Sequence, residues 1–572
     1  MKLTYKILKD RVLKEDISQA ALLKVLRQEG YRFNIEKFCL WHRAIITAKA
    51  KRSAEALAAR RDATNARRRQ RRAEAKAGKA KAETAPDGPP LPRTAGTDRP
   101  PDEKRRKLAG QRFVFTSAQN NTDVHEGFWK ALNHFCKYKD AKLYVSRFTY
   151  NKSEWTKRGG ITKKAEVEQE ELYYDPRIES CILDEQVKVA DGLVFCGELD
   201  ILPTAATPLA TLHNYTGPNS GIVPHAKVHL ESYATMKGQD AKFMYTTGAC
   251  TLRNYINRKA GQVATFHHVF GALYVEVDED GKWFVRQLIA DDSGAFYDLD
   301  HYYTPEYGVL IGGNVAVVTL GDIHIEKVDH TALDTALNML DVLKPEHVFV
   351  HDVLDFETRN HHNIKDPHFL ADQYFNSPNS VEANVEAAAR FLYGLKTRYP
   401  NTTIHVVRSN HDQALERWLK DHSAAGDPAN AAYWHLLNYA VHECIKNNEP
   451  FDVFRWAVQN AAAKNDISVT GVHFVQEDES VVILDIEHGM HGHRGPNGAR
   501  GSAKSLRPMG RKTNTGHSHS AYIIDGNWVA GVLGTLDMKY NAGPSSWSHS
   551  NIITYANGKR CMITQRGNKW KA

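Results

Sequence analysis

The chain has little from which to build a disulfide scaffold or a thiolate zinc site. Its seven cysteines are odd in number, scattered over 572 residues, and never form a Cys-x-x-Cys pair. It also lacks an uncharged apolar run of about 18 residues, so no membrane span is expected. No apolar stretch of the kind a secretory signal needs follows Met1-Lys2-Leu3-Thr4-Tyr5-Lys6, and the expected compartment is the cytoplasm. Core-forming material is not scarce. Hydrophobic residues make up 42% and aromatic residues 10%, which excludes a chain that is disordered throughout. The length implies about two to four domains.

Acidic residues are short in one place only. The net charge is +8, yet the stretch from Arg43 to Lys81 alone holds 14 Lys/Arg against 3 Asp/Glu, so the rest of the chain is slightly acidic. This stretch is rich in alanine, includes Arg67, Arg68, Arg69, Arg71 and Arg72, and has almost no large apolar residue after Leu57. With no face to bury, it reads as a solvated helix or a disordered arm that contacts phosphates without reading sequence. The alternative is a charged linker that only keeps the chain soluble. Prolines 86, 89, 90, 92, 100 and 101 follow, and residues 47–110 are together expected to be a basic and proline-rich arm.

Residues 1–46 pattern as a small helical module. Ser18 can cap a helix through Ala20, Leu22, Leu23, Val25 and Leu26 that stops near Gly30, and a second basic helix is expected over Ile35–Arg43. Helix, turn and helix suit either DNA binding or protein docking. Residues 111–310 read as an α+β accessory domain, a candidate for substrate handling or self-association. Phe113–Thr116, the helical spacing of Val124–Tyr138 and Leu143–Val145 predict a β-α-β start; Ala272–Val277 and Trp283–Val285 flank Asp278-Glu279-Asp280-Gly281 as a hairpin. His267-His268 is expected on a strand, as packing residues.

Histidine is abundant, at 28 residues, and imidazole is a common ligand of transition metals. From Asn314 onward, short apolar runs end repeatedly in metal-ligand chemistry. Asn314–Leu320 leads into Asp322 and His324, Val348–Val350 into Asp352 and Asp355, and Ile404–Val407 into Asn410, His411 and Asp412. Val481–Ile486 leads into His488, and His517 and His519 precede a further apolar run. Ligands gathered at strand ends are what a site on an open α/β sheet looks like. Carboxylates, imidazoles and one amide oxygen, without thiolate, suit two borderline divalent metals.

The ordered series Asp-x-His, Asp-x-x-Asp, Asn-His-Asp, His-Gly and Gly-His-x-His resembles the calcineurin-like metallophosphoesterase superfamily, which includes DNA-repair exonucleases. The resemblance covers about residues 312–565. It implies a sandwich of two mixed β-sheets flanked by helices over 311–572. It also implies one metal held by Asp322, His324 and His519, a second by Asn410, His488 and His517, and Asp352 bridging both. His411 matches the catalytic histidine of that family. His351 and Ser409 stand where the family usually has glycine, and His491 and His493 lie close enough to compete with His488. Chemistry supports the same assignment: two metals can hold a bridging hydroxide and clamp phosphate oxygens, a histidine can protonate the leaving oxygen, and Asp355 or Asp412 can orient His411. Mn²⁺ suits the ligands best, with Mg²⁺, Zn²⁺ or Fe as alternatives.

The basic arm and the Gly-rich loop carrying Arg494, Arg500 and Lys504 favour DNA as the partner, and the insert with Arg359, His361 and His362 is expected to line the cleft. The layout is similar to the metallophosphatase-type DNases among early gene products of some tailed bacteriophages, which would place the protein in the cytoplasm of a host bacterium. A phosphomonoesterase or small-molecule phosphodiesterase is the alternative enzyme class. A non-enzymatic DNA-binding protein with a structural metal is the alternative outside enzymes.

Overall fold

A computed structural model describes residues 105–150, 172–360, 363–376 and 379–572, together with 6, 8–10, 19–30, 35, 38, 40, 42 and 45. Residues 67–72 of the basic arm and His361 and His362 lie outside the described residues. Met1–Arg99 and Pro100–Ala572 form separate compact units. In the first, a helix spans Gln19–Gln28 with Leu22 and Leu26 buried, and Gly30 follows at φ 81°, as the sequence pattern predicts.

The second unit is mixed α/β. Its central six-stranded sheet contains β1 (Val315–Thr319), β2 (His347–Val350), β3 (Thr403–Val407), β4 (Val472–Val475), β5 (Ser550–Tyr555) and β6 (Arg560–Thr564), in the order β4-β3-β2-β1-β5-β6. The first four are parallel, β5 pairs antiparallel with β1, and β6 pairs antiparallel with β5. Parallel strands covered on both faces read as continuous apolar runs, and β1 is buried along its whole length. Helices His330–Leu343, Val381–Arg398 and Val453–Lys464 supply the core on one face through Ala336, Met339, Leu392 and Val458. Each starts on a side-chain cap, from Asp329, Ser380 and Asp452.

A ten-stranded mixed sheet carries the other half of the unit. Val482–Ile483, Ile486–Glu487, Lys512–Thr515, Asn527–Val529 and Tyr522–Ile524 form one end; Leu230–Tyr233, Lys242–Thr246, Ser220–Val223, Leu193–Cys196 and Gln186–Ala190 form the other. Ile523 pairs with Leu230 at the junction. The expected boundary at 310/311 therefore runs through a shared sheet. One hydrophobic core joins Phe113, Phe195, Leu230, Ile523, Trp528, Ile552 and Met562, so neither side of that boundary closes its core without the other.

The β-α-β start is present as Arg112–Gln119, Glu126–Lys139 and Lys142–Phe148, with the strands parallel. The hairpin is present as Gly271–Val277 and Trp283–Ile289, and Gly281 turns at φ 79°. His267 departs from expectation, because it ends helix Lys259–His267 rather than lying on a strand. His268 packs as expected, its ring bonded to Tyr255 Oη at 2.7 Å and to the Thr251 carbonyl at 2.9 Å.

Candidate metal centre

The loops after β1, β2 and β3 run to one point. Asp322 and His324 leave β1, Asp352 and Asp355 leave β2, and Asn410 and His411 leave β3. From the ten-stranded sheet, the chain beyond Ile486–Glu487 brings His491, and the chain beyond Lys512–Thr515 brings His517 and His519. Ligand atoms of Asp322, His324, Asp352 and His519 all lie within 4.8 Å of one another, and so do those of Asp352, His491 and His517. Asp352 belongs to both groups. The Asn410 amide oxygen stands 3.0 Å from His491 Nε2 and 3.0 Å from His517 Nδ1, which completes the second group.

The backbone is forced to make this convergence. His324, Asp352, His517 and His519 sit at φ 49°, 42°, 74° and 56°, in the left-handed region that non-glycine residues avoid. Such strain persists only where the surroundings over-determine it, and it clusters at functional sites. Gly516 is required beside them, since a Cβ there would stand 2.1 Å from Asp322 Oδ1.

The electrostatics ask for a cation. Burial would raise the Asp322 carboxyl, but the neighbouring His491 and His519 imidazoles hold it down at about 2. Burial would lower His491, yet the Asp352 and Asp322 carboxylates raise it to about 9. Asp352, also buried, is held well below its usual range by His491 and His411. Asp322 Oδ1 and Asp352 Oδ2 are buried without a well-formed hydrogen bond among the described residues. Buried carboxylate oxygens of this kind are satisfied by metal ions, and the donor set of carboxylates, imidazoles and one amide fits borderline divalent ions.

No protein-family profile and no solved structure matches the chain. A curated relative does: "Protein A1" of Escherichia phage T5 is 40% identical over 498 residues, covering 84% of this chain and 86% of the relative. The chain belongs to the protein A1 family. At that coverage the kinship of this protein A1 family member with the phage protein extends far outside residues 311–572.

Of the ligands chosen from sequence, Asp322, His324, Asp352, Asn410, His517 and His519 meet at the centre, and His488 does not. Its ring stacks on Phe349 at 4.8 Å, neither ring nitrogen has a partner among the described residues, and its backbone N–H bonds back to the Val481 carbonyl. His491 takes the expected place. The cause is a tight hairpin. Val481–Ile486 is not one strand but two short ones joined through Leu484 and Asp485, at φ 52° and 63°. Two consecutive positive-φ residues are the signature of a type I′ turn, and after the reversal His488 lies against Phe349. His493 lies at the margin, 5.4 Å ring to ring from His491.

The supporting residues also divide. His411 donates its backbone N–H to Asp352 Oδ1 at 3.0 Å, and its Nδ1 lies 2.7 Å from the Asp355 carbonyl oxygen. The Asp355 carboxylate stands 3.1 Å from His324 Nδ1, so it orients a ligand as well. Asp412 does not orient His411. Its carboxylate accepts from Leu354 N at 2.9 Å and Ser409 Oγ at 2.7 Å, bracing the loops after β2 and β3; burial and Asp352 raise it to about 7. Glu326 was not legible as a site residue. It is half-buried, and accepts from the Asp355 and Phe356 amides at 2.6 and 3.1 Å and from Asn384 at 2.7 Å. Its position after Asp-x-His, two residues beyond the ligand, was the available signal.

Arg359, expected on the substrate, is instead buried in a two-pronged ion pair with Asp427 at 2.6 and 2.8 Å. Arg494 is exposed but pairs with Glu477 at 2.7 Å. Arg500 and Lys504 are exposed, make no ion pair among the described residues, and line a groove of ≈ 590 Å³ with His517, Ser518 and Tyr522. Trp547 sets its ring 4.2 Å from that of His519, and Tyr540 lies 5.7 Å from Trp547.

Proposed function

We propose that this protein is a metal-dependent phosphodiesterase of calcineurin-like metallophosphoesterase type, and that its substrate is DNA. The observation that carries the reading is the convergence of two donor groups sharing Asp352 at the ends of β1, β2 and β3, beside a groove with two exposed cations, Arg500 and Lys504. Asp322, His324, Asp352 and His519 would hold one divalent ion; Asp352, Asn410, His491 and His517 would hold a second. Mn²⁺ fits this donor set best. When bound, such ions supply Lewis-acid polarisation of the phosphate and lower the pKa of water.

The chain's own residues do the rest. Burial would lower His411, but the Asp352 and Asp355 carboxylates raise it above its ordinary value, which favours the protonated ring. With Nδ1 held on the Asp355 carbonyl, Nε2 is the nitrogen left to give its proton to the leaving oxygen. Arg500 and Lys504 would hold the phosphates flanking the scissile one, in a salt-dependent way.

The test is cleavage of linear and circular double-stranded DNA with Mn²⁺, beside Asp352→Asn and His411→Ala. Cutting by the wild type and loss in both variants is expected. DNA left intact while small phosphoesters are hydrolysed through the same residues would leave the site standing and move the substrate to another class.

A further inference from the structure

Gln565, just beyond β6, is 5% exposed, and both its Oε1 and its Nε2 are buried without a hydrogen-bond partner among the described residues. An amide with neither end satisfied is costly to bury, and native interiors keep few such groups. It is not isolated. Gln565 lines a cavity of ≈ 180 Å³ whose walls include Trp547, Phe243, Asp329, His549 and Arg566, and the Nη2 of Arg566 is a further buried donor with no partner among the described residues. Trp547 is the wall shared with the metal centre, through its contact with His519.

Size and chemistry narrow the occupant. A water takes up roughly 30 Å³, so the space is several waters large. Pockets for whole small-molecule ligands begin at roughly 300 Å³, so a complete nucleotide exceeds it and a single planar ring system does not. A side-chain amide presents a donor and an acceptor side by side, the pattern that matches a base edge. Aromatic walls beside such an amide are how an unstacked base is held.

We propose that this cavity receives one nucleobase of the substrate strand, adjoining the phosphate at the metal centre, with the Gln565 amide on its hydrogen-bonding edge and Trp547 against its ring. The inference rests on the phosphodiesterase reading above. It makes the substrate a strand whose base is unpaired at the point of cleavage, and it gives residues around Phe243 a role in substrate binding.

The test uses the full chain carrying Asp352→Asn, so that strands are bound and not cut, with a ten-nucleotide single-stranded DNA containing 2-aminopurine. Binding is expected to quench the fluorescent base at least about twofold, and adding Gln565→Leu is expected to remove most of the quench and weaken binding on the order of tenfold. Melting temperature and Mn²⁺ stoichiometry, each compared with the Asp352→Asn parent, check that the double variant is folded and its centre unchanged. A second measurement leaves the pocket untouched: the wild type should cut next to an abasic position on the order of tenfold more slowly than next to a base. Equal quench and affinity with Gln565→Leu, equal cutting at abasic positions, or no binding of the strand would each overturn the pocket. Quench that depends on Gln565, with no strand cut by the wild type, would keep the pocket and overturn the phosphodiesterase reading instead.

Discussion

The two large sheets reach one site by different routes. In the six-stranded sheet, β1, β2 and β3 are parallel, and each releases its donors within a few residues of its last buried position. In the ten-stranded sheet the contributing strands are two to four residues long, and the donors arrive after a hairpin and a Gly-rich loop. A strand-then-ligand pattern is therefore reliable where the strand is continuous. It misleads where a turn of two residues hides inside an apolar run, as at Leu484-Asp485.

Asp352→Asn bears on both routes at once, because Asp352 belongs to both donor groups, and it carries the largest expected effect. DNA cleavage should fall on the order of 10³-fold, and calorimetric titration with Mn²⁺ should show lost stoichiometry. Retained activity would mean that the two routes do not share a centre.

The sharpest comparison within the second route is His491→Ala against His488→Ala. The first should weaken Mn²⁺ binding by at least ~10-fold to 100-fold, as even the removal of an outer partner does. The second should leave Mn²⁺ affinity in place and instead lower the stability by about 3 kcal/mol, through the cavity left against Phe349. Equal metal loss in the two variants would break the account of the hairpin.

Arg359→Ala should cost about 3 kcal/mol in chemical denaturation by leaving Asp427 without its partner, and should leave the salt dependence of DNA binding unchanged. Arg500→Ala and Lys504→Ala should do the reverse. Stability is expected to hold, and the slope of log K against log salt to shrink by about 0.9 for each phosphate that is no longer neutralised. These are the smallest effects, and unchanged slopes would remove the groove from the DNA path.

Much of the centre was legible because its chemistry is local: an Asp-x-His or Asn-His pair needs only a strand end to become a ligand pair. The same locality explains what was not legible. Arg359 looked like a cleft residue until Asp427, which the helices after β3 place opposite it, neutralised it. Asp412 was next to His411 in sequence, but its helix turned the carboxylate toward the backbone of the β2 loop. The division of the chain at residue 310 followed the start of the strand-then-ligand pattern, and a local pattern does not register that Leu230 and Ile523 are neighbours in one sheet.

By itself the sequence determined the chemical inventory of the site and the order in which it is delivered, because residue type and strand length are properties of short segments. Only the tertiary structure decided which histidine of the His488–His493 segment faces Asp352, which arginines remain open to a ligand, and that Gln565 and Phe243 share a cavity beside the candidate metal centre. Those outcomes depend on strand pairing and packing between segments far apart in the chain. Burial, charge pairing and cavity shape are set where such segments meet.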